Sequence, residues 1–440
     1  MKNKGFLKYL FNTTWLLGGK VYRVGLGLLI TVWMARYLGP EQFGVFNYAL
    51  SFVTIFSVFV SLGLDNLIVR EVINKPKEEL NILSSALLMR LLGGVVLFLI
   101  STLMIMKIRP DDQVMLMLVM AFSIGFFFKS FEVLRFWFEA HVKGKYSAVI
   151  EVVAISVSVS VKAGFIIYEL PLIYFAWTLA VETVAMSIGL VAFYSSLGGS
   201  LNIFKASFKK MSHLIKEAWP LILAGTLYII YAKIDQIMLG EMVGNEAVGI
   251  YAAAVKLSEG WFFVPIVISA SLYPAMLSAR KVNMDVYYQR TQQLLSLMVV
   301  IGLTAAFGIM FIAAPLVLLM FGPEYKSASE ILIVHIWGGI FLAMSGVSYR
   351  YFIAEGLQKY SFYRGLTGVV VNIVFNIWLI PLYGAMGAAI ATVISQFMAL
   401  YLFNVTNTKT RKMFIMQTRA LLLLDFLSAL KFLIAYKRKI

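Results

Sequence analysis

Apolar residues run along this chain in stretches far longer than a buried strand or a core helix needs. Phe43 to Leu64 contains no charged side chain, and neither do Gly260 to Ala279, Leu294 to Gly322 and Gly365 to Thr408. A helix that crosses a bilayer uses about 20 apolar residues. The last stretch is long enough for two such helices, and Pro381-Leu382-Tyr383-Gly384 supplies a turn in its middle. Other segments are apolar with one to three charges inside them. The pattern predicts twelve helices, at 14–36, 43–64, 82–106, 113–138, 147–168, 171–194, 216–240, 248–278, 291–320, 329–350, 361–380 and 384–406. The fold class is therefore an all-α polytopic membrane protein. Barrel strands are not indicated, because the runs are too long and do not alternate.

Composition agrees. Of 440 residues, 61% are hydrophobic and 14% charged, with a mean hydropathy of +0.85. A soluble domain carries about 25% charged residues, so an ordinary soluble enzyme is excluded. Disorder is excluded as well, since it needs low hydrophobicity. The absence of cysteine removes disulfides, thiolate metal sites and cysteine nucleophiles. His141, His213 and His335 are far apart in sequence, and no histidine zinc site is expected. The first span holds Lys20 and Arg23 and is followed by no small-residue cleavage site, unlike a signal peptide.

The net charge of +16 would suit nucleic acid, but its placement points elsewhere. An even number of helices puts both termini on one side. That side receives Lys2, Lys4 and Lys8, Arg70, Lys75 and Lys77, Lys143 and Lys145, and Lys205, Lys209, Lys210 and Lys216. Arg280, Lys281, Arg290, Arg350, Lys359, Arg364 and the basic tail follow. The opposite side has Arg36, Lys107, Arg109 and Lys326. Positive loops stay in the cytoplasm, so a multi-pass protein of the cell (inner) membrane with both termini cytoplasmic is expected, with no nucleic-acid partner. After Thr408, Leu421 to Tyr436 reads as an interfacial helix on the anionic leaflet.

The chain repeats itself. Leu38-Gly-Pro-Glu-Gln-Phe-Gly-Val-Phe-Asn-Tyr-Ala49 aligns with Val243-Gly-Asn-Glu-Ala-Val-Gly-Ile-Tyr-Ala-Ala-Ala254. Gly39, Glu41, Gly44 and Ala49 match Gly244, Glu246, Gly249 and Ala254, just ahead of or within the second and eighth helices. Trp15 and Trp219 fall near the starts of the first and seventh helices. Two six-helix halves of the same orientation follow, 1–200 and 201–408, with a basic tail at 409–440. Parallel repeats imply a pseudo-twofold axis along the membrane normal.

These residues carry a resemblance. Ala35-Arg-Tyr-Leu-Gly-Pro-Glu-Gln-Phe-Gly-Val-Phe46 resembles the first-loop signature of the polysaccharide (O-antigen type) flippases of the multidrug/oligosaccharidyl-lipid/polysaccharide exporter superfamily. Lys233-Ile-Asp-Gln-Ile-Met-Leu-Gly240 with Val248-Gly-Ile-Tyr-Ala-Ala-Ala254 resembles their seventh helix and the start of their eighth. Gly384-Ala-Met-Gly-Ala-Ala-Ile-Ala-Thr392 resembles their twelfth. The resemblance implies translocation of undecaprenyl-diphosphate-linked oligosaccharide units from the cytoplasmic to the periplasmic leaflet by alternating access. An archaeal homologue would use a dolichol-type carrier. Partners implied are membrane lipids, the polyprenyl-diphosphate-linked oligosaccharide, and polysaccharide polymerase and chain-length proteins.

Charges at membrane depth are the candidate site, because a lysine or arginine at a helix centre costs about 2.5–3.5 kcal/mol unless it finds a partner or water. Arg23, Arg90 and Lys256 lie close to mid-span and would form a cationic lining for a diphosphate and an acidic sugar. The structural alternative is a packing ion pair, for instance with Glu182. Lys20 shares a face with Arg23 or snorkels to the interface. Lys129, Glu132 and Arg135 step by three along the fourth helix, as a phosphate-entry site or as a neutralised network. Lys233 lies in the seventh helix. Glu182, Asp235 and Glu259 are the candidate carboxylates for a coupling proton or sodium ion, and Glu259 alternatively neutralises Lys256. Tyr22, Tyr228, Tyr231, Tyr251 and Tyr349 would stack on sugars or simply mark interfaces. No catalytic group or resident cofactor is indicated.

Three other functions compete with this one. A drug or metabolite antiporter of the same superfamily would share the fold, but cationic substrates call for an acidic lumen. A membrane glycan polymerase or ligase would use a large outer loop with a reactive cluster, and the outer loops are short. An ATP-driven pump would need a phosphate-binding loop motif that is not present.

Overall fold

The computed structural model describes residues 2–425, and they are helical with no strand among them. Ten helical stretches among the described residues are long and apolar enough to cross a membrane. Two of these, Gly18–Asn74 and Gln358–Val405, each contain two predicted spans separated by a non-helical glycine, Gly39 and Gly384. Every one of the twelve predicted helices therefore has a counterpart. The chain divides into two compact units, Met1–Lys233 and Ile234–Ile440.

The N-terminal unit contains α1 (Lys2–Phe56), α2 (Val58–Ser61), α3 (Asp65–Asn74), α4 (Glu79–Ile108), α5 (Gln113–Phe128), α6 (Val133–Ala140), α7 (Gly144–Ile167) and α8 (Leu172–Ser196). It ends within α9 (Phe208–Met242). The α4 helix shows how apolar residues are divided here. Arg90, Gly94, Leu97, Ser101 and Ile105 form its buried stripe, while Leu92, Val95, Leu99, Leu103 and Met106 stay exposed on the other side. Both stripes follow helical spacing, and the second is suited to lipid tails rather than water. Polar contacts tie the bundle internally, with Ser101 Oγ and Ser123 Oγ 2.9 Å apart between α4 and α5. Ser158 Oγ donates to Thr178 O at 3.2 Å between α7 and α8.

Helix breaks organise this unit. The second predicted span bends at Leu62 and Gly63, both with positive φ, and continues as α3, an amphipathic helix the sequence pattern did not predict. The fourth span passes through a 3-10 segment at Lys129–Glu132 between α5 and α6. Gly93 lets α4 approach the first break, since a Cβ there would stand 1.8 Å from Phe59 O.

The C-terminal unit continues from α9 into α10 (Asn245–Glu259), α11 (Phe263–Val282), α12 (Met284–Phe321), α13 (Ala328–His335), α14 (Gly338–Ala354), α15 (Gln358–Leu400) and α16 (Thr408–Leu421). Its core gathers Leu272, Tyr287, Leu295, Met298, Met344 and Phe352. Helix α16 is part of that core. Met413, Met416 and Ala420 are buried in it, and Gln292 Nε2 of α12 donates to Met416 O at 3.1 Å. The segment after Thr408 thus begins as a packed helix, where a cytoplasmic tail was expected. Most of the expected interfacial helix, from residue 426 onward, lies outside the described residues.

The repeat is visible in the backbone. Gly39 has φ 71, ψ 169 and its counterpart Gly244 has φ 125, ψ 174. Only glycine occupies this region readily. Ala49 and Ala254, ten residues on, are both fully buried.

Candidate functional site

In the N-terminal unit the mid-span charges meet one another. Arg23 of α1 places Nη1 2.6 Å from Glu151 Oε1 of α7 and Nη2 3.1 Å from Glu182 Oε1 of α8. The arginine side chain is 39% exposed, against 20% for Glu151 and 13% for Glu182. The carboxylates are thus more buried than the arginine side chain as a whole. One turn away Gly19 lies against Ala148, where a Cβ would stand 3.4 Å from the alanine Cβ, and Tyr22 Oη is 2.9 Å from Ser156 Oγ. Close approach of α1 to α7 is what brings Arg23 to Glu151. With two carboxylates on one guanidinium the cluster carries a net charge of −1.

Arg90 is placed differently. Its side chain is 3% exposed, in the interior of the unit. Nη1 is 3.7 Å from Asp65 Oδ1 at the start of α3, and Nη2 is 3.9 Å from Glu132 Oε2. Nη2 also donates to Lys129 O at 3.2 Å, and the guanidinium lies over the Phe136 ring. Arg90 therefore joins the two helix breaks of this unit, supplying a donor to a carbonyl in the 3-10 segment.

The triplet on the fourth span does not pair internally. Glu132 meets Arg90, Arg135 Nε donates to Glu139 Oε1 at 3.1 Å, and Lys129 Nζ lies 4.5 Å from the Phe126 ring centroid. The residues Lys129–Glu132 are wound as a 3-10 turn between α5 and α6. Lys20 is exposed at the side of α1, Lys233 is half-buried in α9, and Lys256 and Glu259 are both exposed on α10.

The C-terminal unit holds a buried polar cluster around one carboxylate. Asp235 of α9 is 6% exposed and accepts a hydrogen bond from Tyr251 Oη of α10. The same hydroxyl is 3.4 Å from Thr392 Oγ1 of α15. Asn372 Nδ2 donates to Thr392 Oγ1 at 3.5 Å, and Asn376 Nδ2 donates to Asn372 Oδ1 at 3.0 Å. Asn376 Oδ1 is buried with no hydrogen-bond partner. Nearby on α13, His335 Nδ1 is 2.8 Å from Ser258 Oγ, and its ring stands edge-on to Tyr251. Tyr251 is fully buried, which takes it away from sugar stacking, whereas Tyr228 and Tyr349 are 69% and 54% exposed. Sequence reasoning found Asp235 but not Asn372, Asn376 or Thr392. Two asparagines four apart in an otherwise apolar span were the available signal.

A third cluster lies on α3 and the start of α9. Glu71, His213 and Glu217 bring ligand atoms within 4.8 Å of one another, which the wide sequence separation of the histidines did not suggest. Cations already hold these carboxylates. Lys75 Nζ is 2.9 Å and Lys210 Nζ 3.8 Å from Glu71 Oε2, and Arg70 pairs with Glu217. The hydrogen bond to Glu71 raises the pKa of the Lys75 ammonium. The cluster is an ion-pair network that fastens α3 to α9.

Comparison with known proteins adds what the geometry does not. Residues 9–280 match the family described as "Polysaccharide biosynthesis protein", and residues 220–378 match the family described as "MatE". The chain is 25% identical over 412 residues to an uncharacterized membrane protein, MJ1375, of Methanocaldococcus jannaschii, covering 88% of this chain and 94% of that one. It is 27% identical over 172 residues to the probable flippase AglR of Haloferax volcanii, covering 38% of this chain and 36% of that one. The fold is similar to the inward closed lipid II flippase MurJ, with a TM-score of 0.74 at 15% identity over 93% of this chain and 91% of that one.

Proposed function

Since this chain belongs to the polysaccharide biosynthesis protein family, we propose that it flips polyprenyl-diphosphate-linked oligosaccharide repeat units across the cell membrane. The units enter from the cytoplasmic leaflet and leave in the outer one by alternating access. The protein performs no covalent chemistry. Both termini are cytoplasmic, as the distribution of Lys and Arg between loops requires. Polymerase and chain-length proteins take over the product.

The observation that carries this reading is Arg23, a partly exposed arginine in an apolar span held by carboxylates of two other helices. Intramembrane charges are kept where they serve a substrate or ion path. A diphosphate offers the guanidinium a bidentate partner stronger than either glutamate alone. Asp235, the buried acid of the C-terminal polar cluster, is the site where a coupling proton or monovalent cation is held, with the Tyr251 hydroxyl bonded to it and Thr392 Oγ1 beyond.

A second reading, a drug or metabolite antiporter, is favoured by the net negative Arg23 cluster and by the match to the MatE family over residues 220–378. Deletion with leaflet-resolved detection of lipid-linked oligosaccharide separates the readings. Complete units accumulate facing the cytoplasm and are cleared on re-expression if the chain is a flippase. Units that reach the outer leaflet but stay unpolymerised point to an enzyme. Unchanged glycolipids with sensitivity to toxic compounds point to the antiporter.

A further inference from the structure

Beside the Glu71 network lies a basic feature that the transport reading does not use. A cleft of about 680 Å³ opens between the start of α4 and the connection from α8 to α9. Its walls include Lys75, Lys77, Lys205 and Lys209, with Asn81 and Ser207 between them. Two hydrogen bonds hold the connection to α4. Asn81 Nδ2 donates to Lys205 O at 2.9 Å, and Ser207 N donates to Ser85 Oγ at 3.0 Å. The cleft is thus a built surface and not a chance gathering of side chains.

Its charge is uncompensated. Glu78, on the rim, is taken by Lys210 at 2.6 Å, and Glu71 is taken by Lys75 at 2.9 Å. Lys77, Lys205 and Lys209 are exposed, with no carboxylate partner among the described residues. Two phenylalanines flank these lysines. Phe204 is 95% exposed and Phe208 83%, although both belong to a segment pinned by hydrogen bonds. A soluble anion would account for the lysines but not for the rings. Rings that enter the acyl boundary beside ammonium groups at headgroup level account for both.

We propose that this cleft binds the headgroup of an anionic phospholipid of the cytoplasmic leaflet, with Lys77, Lys205 and Lys209 on the phosphate and Phe204 and Phe208 in the acyl boundary. The proposal rests on this face being cytoplasmic, and not on which glycolipid is carried. It fixes the segment that leads into α9 to the membrane surface.

The test uses the full chain in nanodiscs of phosphatidylcholine with and without phosphatidylglycerol, and reads retained lipid by native mass spectrometry. The wild-type chain retains phosphatidylglycerol in preference. Lys77→Gln, Lys205→Gln and Lys209→Gln together reduce that retention by roughly fivefold per lysine, with an unchanged melting temperature because the three side chains are exposed. Phe204→Ser with Phe208→Ser reduces it as well. Equal retention by the triple variant overturns the proposal. Displacement by millimolar inorganic phosphate would identify a soluble-anion site in its place, and selective displacement by a polyprenyl diphosphate would identify a substrate-loading site. The assay needs no transport, so it can fail while the flippase reading stands, and the reverse.

Discussion

The two units handle polarity at membrane depth in different ways. In the N-terminal unit it takes the form of ion pairs between helices, Arg23 with Glu151 and Glu182, and Arg90 with Asp65 and Glu132. In the C-terminal unit it takes the form of hydrogen bonds around a single acid, Asp235 with Tyr251, and through Thr392 to Asn372 and Asn376. Ion pairs can exchange partners with a charged ligand, because a phosphate competes directly for the guanidinium. The hydroxyls and amides of this network carry no charge to offer an anion. It can hold a proton or a small cation. Under the proposed function, substrate contact falls to the first unit and coupling to the second. Arg90 shows that charge alone is not the criterion, since it is buried and bonded to the backbone of a helix break.

The largest effect should come from Arg23→Ala, which is expected to reduce flipping to background while expression stays normal. Adding Glu151→Gln and Glu182→Gln sharpens the comparison. If the arginine only neutralises its two partners, the triple variant recovers transport in a leaflet-resolved assay. If it binds the diphosphate, the triple variant stays inactive. Asp235→Asn comes next. It keeps the hydrogen-bonding shape and removes the charge, so transport driven by a proton or sodium gradient should fall by about tenfold, with gradient-free exchange less affected. Full retention of gradient dependence in vesicles would break the assignment of coupling to the C-terminal unit.

Arg90→Met should act on stability and not on transport per folded molecule. It leaves the Lys129 carbonyl without its donor, a cost of about 1–3 kcal/mol, read as a lower melting temperature. A variant with normal melting and lost flipping would move Arg90 into the substrate path and erase its contrast with Arg23. The smallest expected effect is that of Gly244→Ala. The φ of 125 at this position disfavours any side chain by about 1–3 kcal/mol. Gly39→Ala should cost a similar amount if the repeat is a true structural duplication, and thermal unfolding of the two single variants compares them.

Some of this was written in the chain. Uncharged runs such as Phe43–Leu64 and Leu294–Gly322 announced spans because hydrocarbon tolerates nothing else over that length. The shared Gly-x-Glu spacing around Gly39 and Gly244 announced the repeat, because a backbone region reserved for glycine leaves a readable mark. Arg23 was legible as a charge at mid-span, and Glu182 as one partner. Glu151 was not, since its meeting with Arg23 depends on how closely α1 approaches α7 at Gly19 and Ala148. Lys129, Glu132 and Arg135 looked like a ladder on one helix, but Glu132 meets Arg90 of α4, Arg135 meets Glu139 and Lys129 lies over Phe126.

The sequence by itself determined the class of protein, the number of spans and the duplication. The first two follow from local composition, and the duplication from a short motif that recurs with the same glycine conformation. Only the tertiary structure decided which charges meet. Arg23 and Arg90 both sit near mid-span in apolar helices, yet one side chain is 39% exposed and the other 3%. That outcome is set by helix rotation, by the breaks at Leu62–Gly63 and Lys129–Glu132, and by the neighbour across the contact. The neutral cluster of Asn372, Asn376 and Thr392 was hidden for the same reason. An amide in a span is unremarkable until the fold turns it toward an acid from another helix.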